Sequence, residues 1–319
     1  MGTPLALALV TFVFGFALGP RWLGFLQRRQ FGKQLNPSEP AEHAHKAGTP
    51  TMGGIVFLVP GLTVISVYGL IAGHWDVLIP VAVALAFGAL GVVDDLRTLV
   101  GKTRSAGLSP AFKWVVQIAV SLLAAYAIQL SGRGLVRVPF LGEVPLPWWG
   151  YLVFAAFVLV ATTSSVAITD GLDSLAATTC SLAFLAFWVI AATRGDISTA
   201  TICATLVGGI LAYLWFNAFP AQMWMGDAGS LPLGGLLGVT ALLLGEPFLL
   251  IPAGIVFVAN ALADIAQVLS MKIRGRRILR YAPLHHHFER VGWKETWIVQ
   301  RFWIAGAVGA IVAILASQQ

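Results

Sequence analysis

The residues best suited to chemistry in this chain are aspartates set in short polar segments. Asp94-Asp95 follows an apolar run, and adjacent carboxylates repel; a divalent cation such as magnesium would relieve the pair. A solvated helix end explains it equally well. Asp227 stands between Gly226 and Gly229, where missing side chains let backbone approach a ligand closely, although a turn-forming aspartate is the plainer reading. In Thr169-Asp170-Gly171-Leu172-Asp173, Asp170 or Thr169 could cap the following helix. Asp173, three residues on, would point the same way and could reach a ligand. Lys46 precedes a Gly-Thr-Pro-Thr-Met-Gly-Gly turn at 48–54. Exposed N–H groups entering a helix there, with an ammonium nearby, suit an anion such as phosphate. Because the lysine comes before the glycines, this is not a Walker-type loop. His285-His286-His287 follow a basic stretch from Lys272 to Arg280 and Pro283. Consecutive residues rarely aim three imidazoles at one ion, and cysteine ligands are absent. Hydrogen bonding to a diphosphate, or orienting a ligand, is therefore preferred to a metal site.

The elements that must position these residues are membrane spans. Of 319 residues, 58% are hydrophobic and only 11% charged, far below the roughly 25% charged of a soluble domain. Apolar runs near bilayer length follow each other along the chain. Spans are expected near 3–20, 53–73, 77–93, 114–130, 148–167, 174–192, 198–216, 231–245, 248–270 and 298–316, the glycine-rich 231–245 being the shortest. Lipid cannot satisfy backbone polar groups, so spans are helices or a closed barrel, and unbroken runs such as Leu152–Ala161 do not alternate as barrel strands would. The sequence therefore reads as one all-α polytopic membrane domain over 1–319 with about ten transmembrane helices. Cys180 and Cys203 lie inside apolar runs and read as small buried hydrophobes. The first run lacks a preceding basic region and passes into Arg21, Arg28 and Arg29, unlike a cleaved signal peptide.

Charge sets the orientation. With ten spans, one side receives 17 of the 20 Lys and Arg residues, and the other only Arg133, Arg137 and Arg194. The rich side is then cytoplasmic and both termini lie on the periplasmic or extracellular side. The net charge of +6 reads as topology and attraction to anionic lipid, not nucleic-acid binding. Every segment discussed above falls on the same cytoplasmic side, as does Asn217, whereas the stretch 131–147 opposite shows no comparable cluster. Carboxylates for magnesium, cationic and glycine-rich segments for phosphates, and a site at the lipid boundary point to phosphoryl transfer onto a membrane lipid.

The wording of the motifs carries the reading further. Lys-x-Gly-Thr-Pro-Thr-Met-Gly-Gly at 46–54, Asp94-Asp95, Thr-Asp-Gly-Leu-Asp at 169–173, Phe-Asn-x-x-Pro-Ala at 216–221, Met-Gly-Asp-x-Gly-Ser-Leu at 225–231 and Pro-Leu-His-His-His-Phe-Glu at 283–289 closely resemble the phospho-N-acetylmuramoyl-pentapeptide transferases. The resemblance runs in order from about residue 30 to the C-terminus. It implies a magnesium-dependent enzyme of the bacterial inner membrane, moving phospho-N-acetylmuramoyl-pentapeptide from its UDP carrier to undecaprenyl phosphate to give lipid I and UMP. By motif, Asp227 would bind Mg2+ and Asp94, with Asp95 beside it, would activate the lipid phosphate. Lys46 and Thr51 would face the diphosphate or nucleotide. Asp170, Asp173 and Asn217 would line the nucleoside side, with Trp224 in the place of an aromatic that stacks on uracil. Gln267 matches a glutamine near the nucleotide. His286 is grouped with the catalytic residues, and His285 and His287 with the substrate contacts. A homodimer is kept as an option.

Three positions depart from the family pattern. Ser164-Ser165-Val166-Ala167-Ile168 replaces the usual Asn-Ala-Val-Asn-Leu, so both asparagines are gone. Thr98 stands where a lysine is expected, with Arg97, Lys102 or Arg104 as substitutes for its charge. Asn260 stands where a glutamate is common, and Asp264 appears one turn later. A related polyprenyl-phosphate N-acetylhexosamine-1-phosphate transferase is therefore the second reading, and a membrane transporter the third.

Overall fold

A computed structural model describes residues 2–29, 31–32, 48–101 and 107–319; Lys46, Lys102 and Arg104 lie outside the described residues. Among the described residues twelve α-helices run in order: α1 (Gly2–Arg28), α2 (Ile55–Ala72), α3 (Leu78–Gly101), α4 (Pro110–Leu130), α5 (Trp148–Thr169), α6 (Leu175–Thr193), α7 (Ile197–Asn217), α8 (Asp227–Leu243), α9 (Leu250–Ala253), α10 (Ile255–Arg274), α11 (Leu284–Val291) and α12 (Glu295–Ala316). Among the described residues, nine helical stretches are long and apolar enough to cross a membrane. Local chemistry sets several boundaries. Ser109 Oγ accepts from Phe112 N at 3.3 Å with Pro110 at the first helical position of α4, the favoured start for a helix. Gly275 ends α10 in the left-handed region at φ 61°, which glycine adopts without a Cβ penalty.

α7 and α8 form the centre of the bundle. α1 and α6 pack along α7, and α3 and α5 along α8. The shortest expected span, 231–245, is α8, which begins earlier, at Asp227. Its 17 residues rise about 25 Å, short of a hydrocarbon core of roughly 30 Å. Burial inside protein explains why so weak an apolar run is a helix here: every residue from Ala228 to Leu243 is buried. Small residues allow it. A Cβ at Gly234 would lie 2.6 Å from Thr163 Cα of α5, the close backbone approach that glycine permits between membrane helices.

Two other expectations change. The expected span 248–270 is broken at Gly254 into α9 and α10. Close packing of α9 against α12 marks the break, since a Cβ at Gly309 would overlap Pro252 O. Asp94-Asp95 does not end its helix either, because α3 continues to Gly101. The periodic apolar pattern stops at Val93, but the backbone ladder does not.

The connectors gather in two places. At one end of the bundle, Arg133 joins Asp76 and Asp196, Arg137 N donates to Gly245 O, and Arg194 bonds Glu246 and Ser317 O. A hairpin pairing Arg137–Val138 with Gly142–Glu143 lies there as well. The segments around residues 50–54, 94–95, 107–109, 169–174, 217–227 and 284–295 meet at the other. α8 links the two gatherings, with Asp227 at one and Leu243 at the other.

Candidate active site

Close approach of α3 to the start of α8 builds the centre of the site. A Cβ at Gly91 would overlap Asp227 O, so only glycine allows this spacing. One turn beyond Gly91, Asp95 caps α8: its Oδ2 accepts from Ala228 N at 3.0 Å and its Oδ1 from Asp227 N at 3.3 Å. A carboxylate at a helix N-terminus is favoured by the free N–H groups and the helix dipole. Asp94 is 7% exposed; its Oδ1 accepts from Leu108 N at 2.6 Å. Its Oδ2 meets Lys113 Nζ at 3.0 Å, and the same ammonium reaches Asp227 Oδ2 at 3.2 Å. One lysine thus bridges two of the three carboxylates brought together here.

Sequence reasoning missed Lys113. Among the described residues, a cation beside Asp94 comes from the first turn of α4, 19 residues after it, where the helix starts before the expected span at 114–130. A lone lysine at the head of an apolar helix was the available signal. Arg97 is exposed and Thr98 packs near Gly107 beside Asp94.

The 50–54 turn lies against this centre. Trp224 N donates to Pro50 O at 2.8 Å, Gly53 N to Trp224 O at 2.7 Å and Gly54 N to Met225 O at 3.2 Å. Thr51 N donates to Phe31 O at 3.1 Å. The N–H groups of Thr51, Gly53 and Gly54 are thus spent on protein carbonyls. What the turn delivers is the Thr51 hydroxyl. Thr51 Oγ1 would sit 2.5 Å from a Cβ on Gly226, and Asp95 Oδ2 would overlap that same Cβ. Gly226 has φ 71°, so space and backbone both demand glycine.

Asp173, Asn217 and Trp224 form a second group. Asp173 Oδ2 accepts from Ala221 N at 3.0 Å and its Oδ1 from Trp224 Nε1 at 3.2 Å. Asp173 N donates to Glu295 Oε1 at 2.8 Å. Asn217 Oδ1 accepts from Ser174 N at 2.9 Å, while its Nδ2 donates to Met223 O at 2.9 Å. The group fastens the 218–226 loop, and hence Asp227, to the start of α6 and α12. Neither Thr169 nor Asp170 caps α6. Ser174 holds the N-cap position without a side-chain bond, and Thr169 Oγ1 donates to Ser165 O at 2.8 Å.

The histidines point three ways. His285 is fully buried; its N and Nδ1 both approach Asn260 Oδ1, at 3.3 and 3.1 Å. Asn260 Nδ2 donates to Thr169 Oγ1 at 3.3 Å. This pattern assigns the ring proton to Nδ1 and leaves Nε2, which has no partner among the described residues, against Gly171. Burial pushes the imidazole pKa down to about 3, with a smaller push from His286 against a pull from Glu289, so His285 is neutral. His286 Nδ1 pairs with Glu289, and His287 Nδ1 accepts from Arg280 N at 3.1 Å. Gln267 Oε1 accepts from Ile278 N and Leu279 N at 3.1 and 3.0 Å, holding the basic loop under α10. Among the described residues, no three His, Cys, Asp or Glu side chains are grouped as a protein-only metal cage. Asp94 and Asp227 could still supply two carboxylates to an ion completed by water and phosphate.

The sequence is similar to known proteins. The model of glycosyl transferase family 4 matches residues 77–245, and phospho-N-acetylmuramoyl-pentapeptide-transferase signature 1 matches residues 46–58. A phospho-N-acetylmuramoyl-pentapeptide-transferase of Chloroflexus aurantiacus is 39% identical over 98% of this chain and 89% of its own length. One from Desulforudis audaxviator is 40% identical over 97% of both chains. Another, from Clostridium perfringens, is 37% identical over 96% of both.

Proposed function

The chain belongs to the phospho-N-acetylmuramoyl-pentapeptide-transferase family, and from that premise we propose that it makes lipid I in the bacterial inner membrane. Phospho-N-acetylmuramoyl-pentapeptide passes from UDP to undecaprenyl phosphate. An oxygen of the lipid phosphate bonds to the sugar-bearing phosphorus, the bond from that phosphorus to the bridging oxygen breaks, and UMP leaves with the electron pair. The observation that most directly supports the assignment is the Asp94–Lys113–Asp227 chain of contacts, where the motif-bearing connectors meet.

Magnesium, when bound, would neutralise diphosphate oxygens and the charge that builds on the leaving UMP. Asp227 would hold it, with the Asp94 carboxylate, joined to Asp227 through Lys113, beside it. The Asp94, Asp95 and Asp227 carboxylates brought together there suit a divalent cation. Asp94 would orient and activate the lipid phosphate, and Asp95 would keep the α8 start in register. Lys113 would hold the two carboxylates together and meet the incoming phosphate. Thr51 would hydrogen-bond the diphosphate. Asp170, Asp173, Asn217, Trp224 and Gln267 would shape the nucleoside side, most of them by fastening loops. His286 would contact the substrate at the α11 face. The excess of Lys and Arg on this side supports a cytoplasmic position for it, where a UDP-linked donor is found.

The test is reconstitution of purified protein with UDP-muramoyl-pentapeptide, undecaprenyl phosphate and magnesium. Lipid-linked product and UMP should appear and should stop on chelation. Absence of lipid-linked product from folded protein would sink the assignment. One observation favours a different UDP-sugar: Ser164 bonds Gln117 at 3.4 Å and Ala167 packs on the core, where the family carries asparagines. Comparing turnover across UDP-sugars separates the two.

A further inference from the structure

Asp264 is the one acidic residue inside α10, and the mechanism above does not use it. Asn260, Asp264 and Gln267 follow the i, i+4, i+7 spacing and share one stripe of the helix. The stripe faces the site: Asn260 touches Thr169 and His285, and Gln267 holds residues 278–279. Leu262 and Ile265, 59% and 55% exposed, lie on other faces of the helix. Asp264 is half-buried, at the margin of the packed side. Among the described residues no hydrogen bond or ion pair engages it. The next cation along α10 is Lys272, eight residues or about 12 Å further on.

A carboxylate in a membrane helix is costly without a partner and marks function by default. Its charge repels phosphate, so neither the diphosphate nor the lipid phosphate is its ligand. What it can take is an uncharged hydrogen-bond donor, a hydroxyl or an amide N–H. We propose that Asp264 is a specificity-determining contact for the hydroxyl and amide groups of the transferred glycosyl-peptide portion of the donor. The assignment rests on the transferase reading above and adds to it a recognition group for the part of the substrate that carries no phosphate.

The experiment compares wild type, Asp264→Asn and Asp264→Leu in nanodiscs, varying donor and lipid acceptor separately. Losing a hydrogen bond to a charged group should raise the donor KM about ten- to a hundredfold in Asp264→Leu, with the acceptor KM unmoved. Asp264→Asn keeps one acceptor oxygen and should recover part of the loss. Donor KM values within twofold of wild type in both variants, or a shift in the acceptor KM instead, would overturn the proposal. Calorimetric titration with UDP-muramoyl-pentapeptide and with UMP separates this from the activity itself. Weaker donor binding with unchanged UMP binding supports Asp264 even where turnover is undetected, and three identical donor isotherms count against it. Wild-type turnover alone decides the transferase reading.

Discussion

The two ends of the bundle both carry charged side chains and use them oppositely. At the end bearing Arg133, carboxylates and arginines are nearly matched. Arg133 sits between Asp76 at 2.8 Å and Asp196 at 2.6 Å, Arg194 meets Glu246, and Arg137 meets Glu143 at 2.8 Å. Hydroxyls and backbone complete the set: Ser198 donates to Asp76 at 2.7 Å, and Asp196 caps α7 by accepting from Thr199 N at 3.0 Å. At the other end Lys113 bridges Asp94 and Asp227, and Asp95 accepts from the N–H groups that open α8. Asp76, Asp196 and Glu246 side chains are 16%, 18% and 3% exposed, with only the hairpin's Glu143 open at 54%; at the other end Asp94 is 10% and Asp227 32% exposed. Paired charges between connectors lock loops together at the first end; at the second, the Asp227 carboxylate stays accessible to a ligand.

The contrast can be broken by mutation. The largest effect is expected for Asp227→Asn, which should cut turnover at least about a thousandfold, on the scale of losing a main electrostatic element, while the protein stays folded in detergent. Near-normal activity would remove Asp227 from the metal role. Lys113→Ala should lower turnover about a hundredfold, because Asp94 and Asp227 then repel; Lys113→Arg should restore part of it. If Lys113→Ala changed only the melting temperature, the bridging contact would belong with the structural end.

Arg133→Ala tests the opposite end. It strands two carboxylates and should cost about 1–3 kcal/mol, the lower part of the range for broken buried pairs because these groups are partly solvated. Melting temperature should fall while turnover per folded molecule holds, and a collapse of turnover would erase the distinction between the ends. The last effect is a pH effect on α11, read locally and not in turnover. His285 has a folded-state pKa below its usual 6.5, so its contribution to stability is present above pH 6.5 and is lost as pH falls toward 3. The loss is about 1.4 kcal/mol per unit in that window. Amide exchange over residues 284–291, referred to the intrinsic rate, should therefore be faster at pH 5 than at pH 7.5. Equal protection would mean that His285 is not buried as described.

Hydropathy alone located the spans, because lipid leaves a chain only helices or barrels, and 58% apolar residues leave no polar shell for a soluble fold. The sequence also determined which connectors share a side, since alternation of spans forces it, and motif wording picked out Asp94, Asp95 and Asp227. What only tertiary structure decided depends on distances between segments far apart in the chain. The lysine between Asp94 and Asp227 comes from another helix, 19 and 114 residues away, and no local period announces it. Whether the 50–54 N–H groups face a ligand or Trp224 is set by a partner more than 170 residues on. The helical start at Asp227 and the break at Gly254 follow from glycine contacts with neighbouring helices, where a single Cβ would collide. Local pattern determines which backbone forms a helix, but close packing determines which polar atoms remain for chemistry.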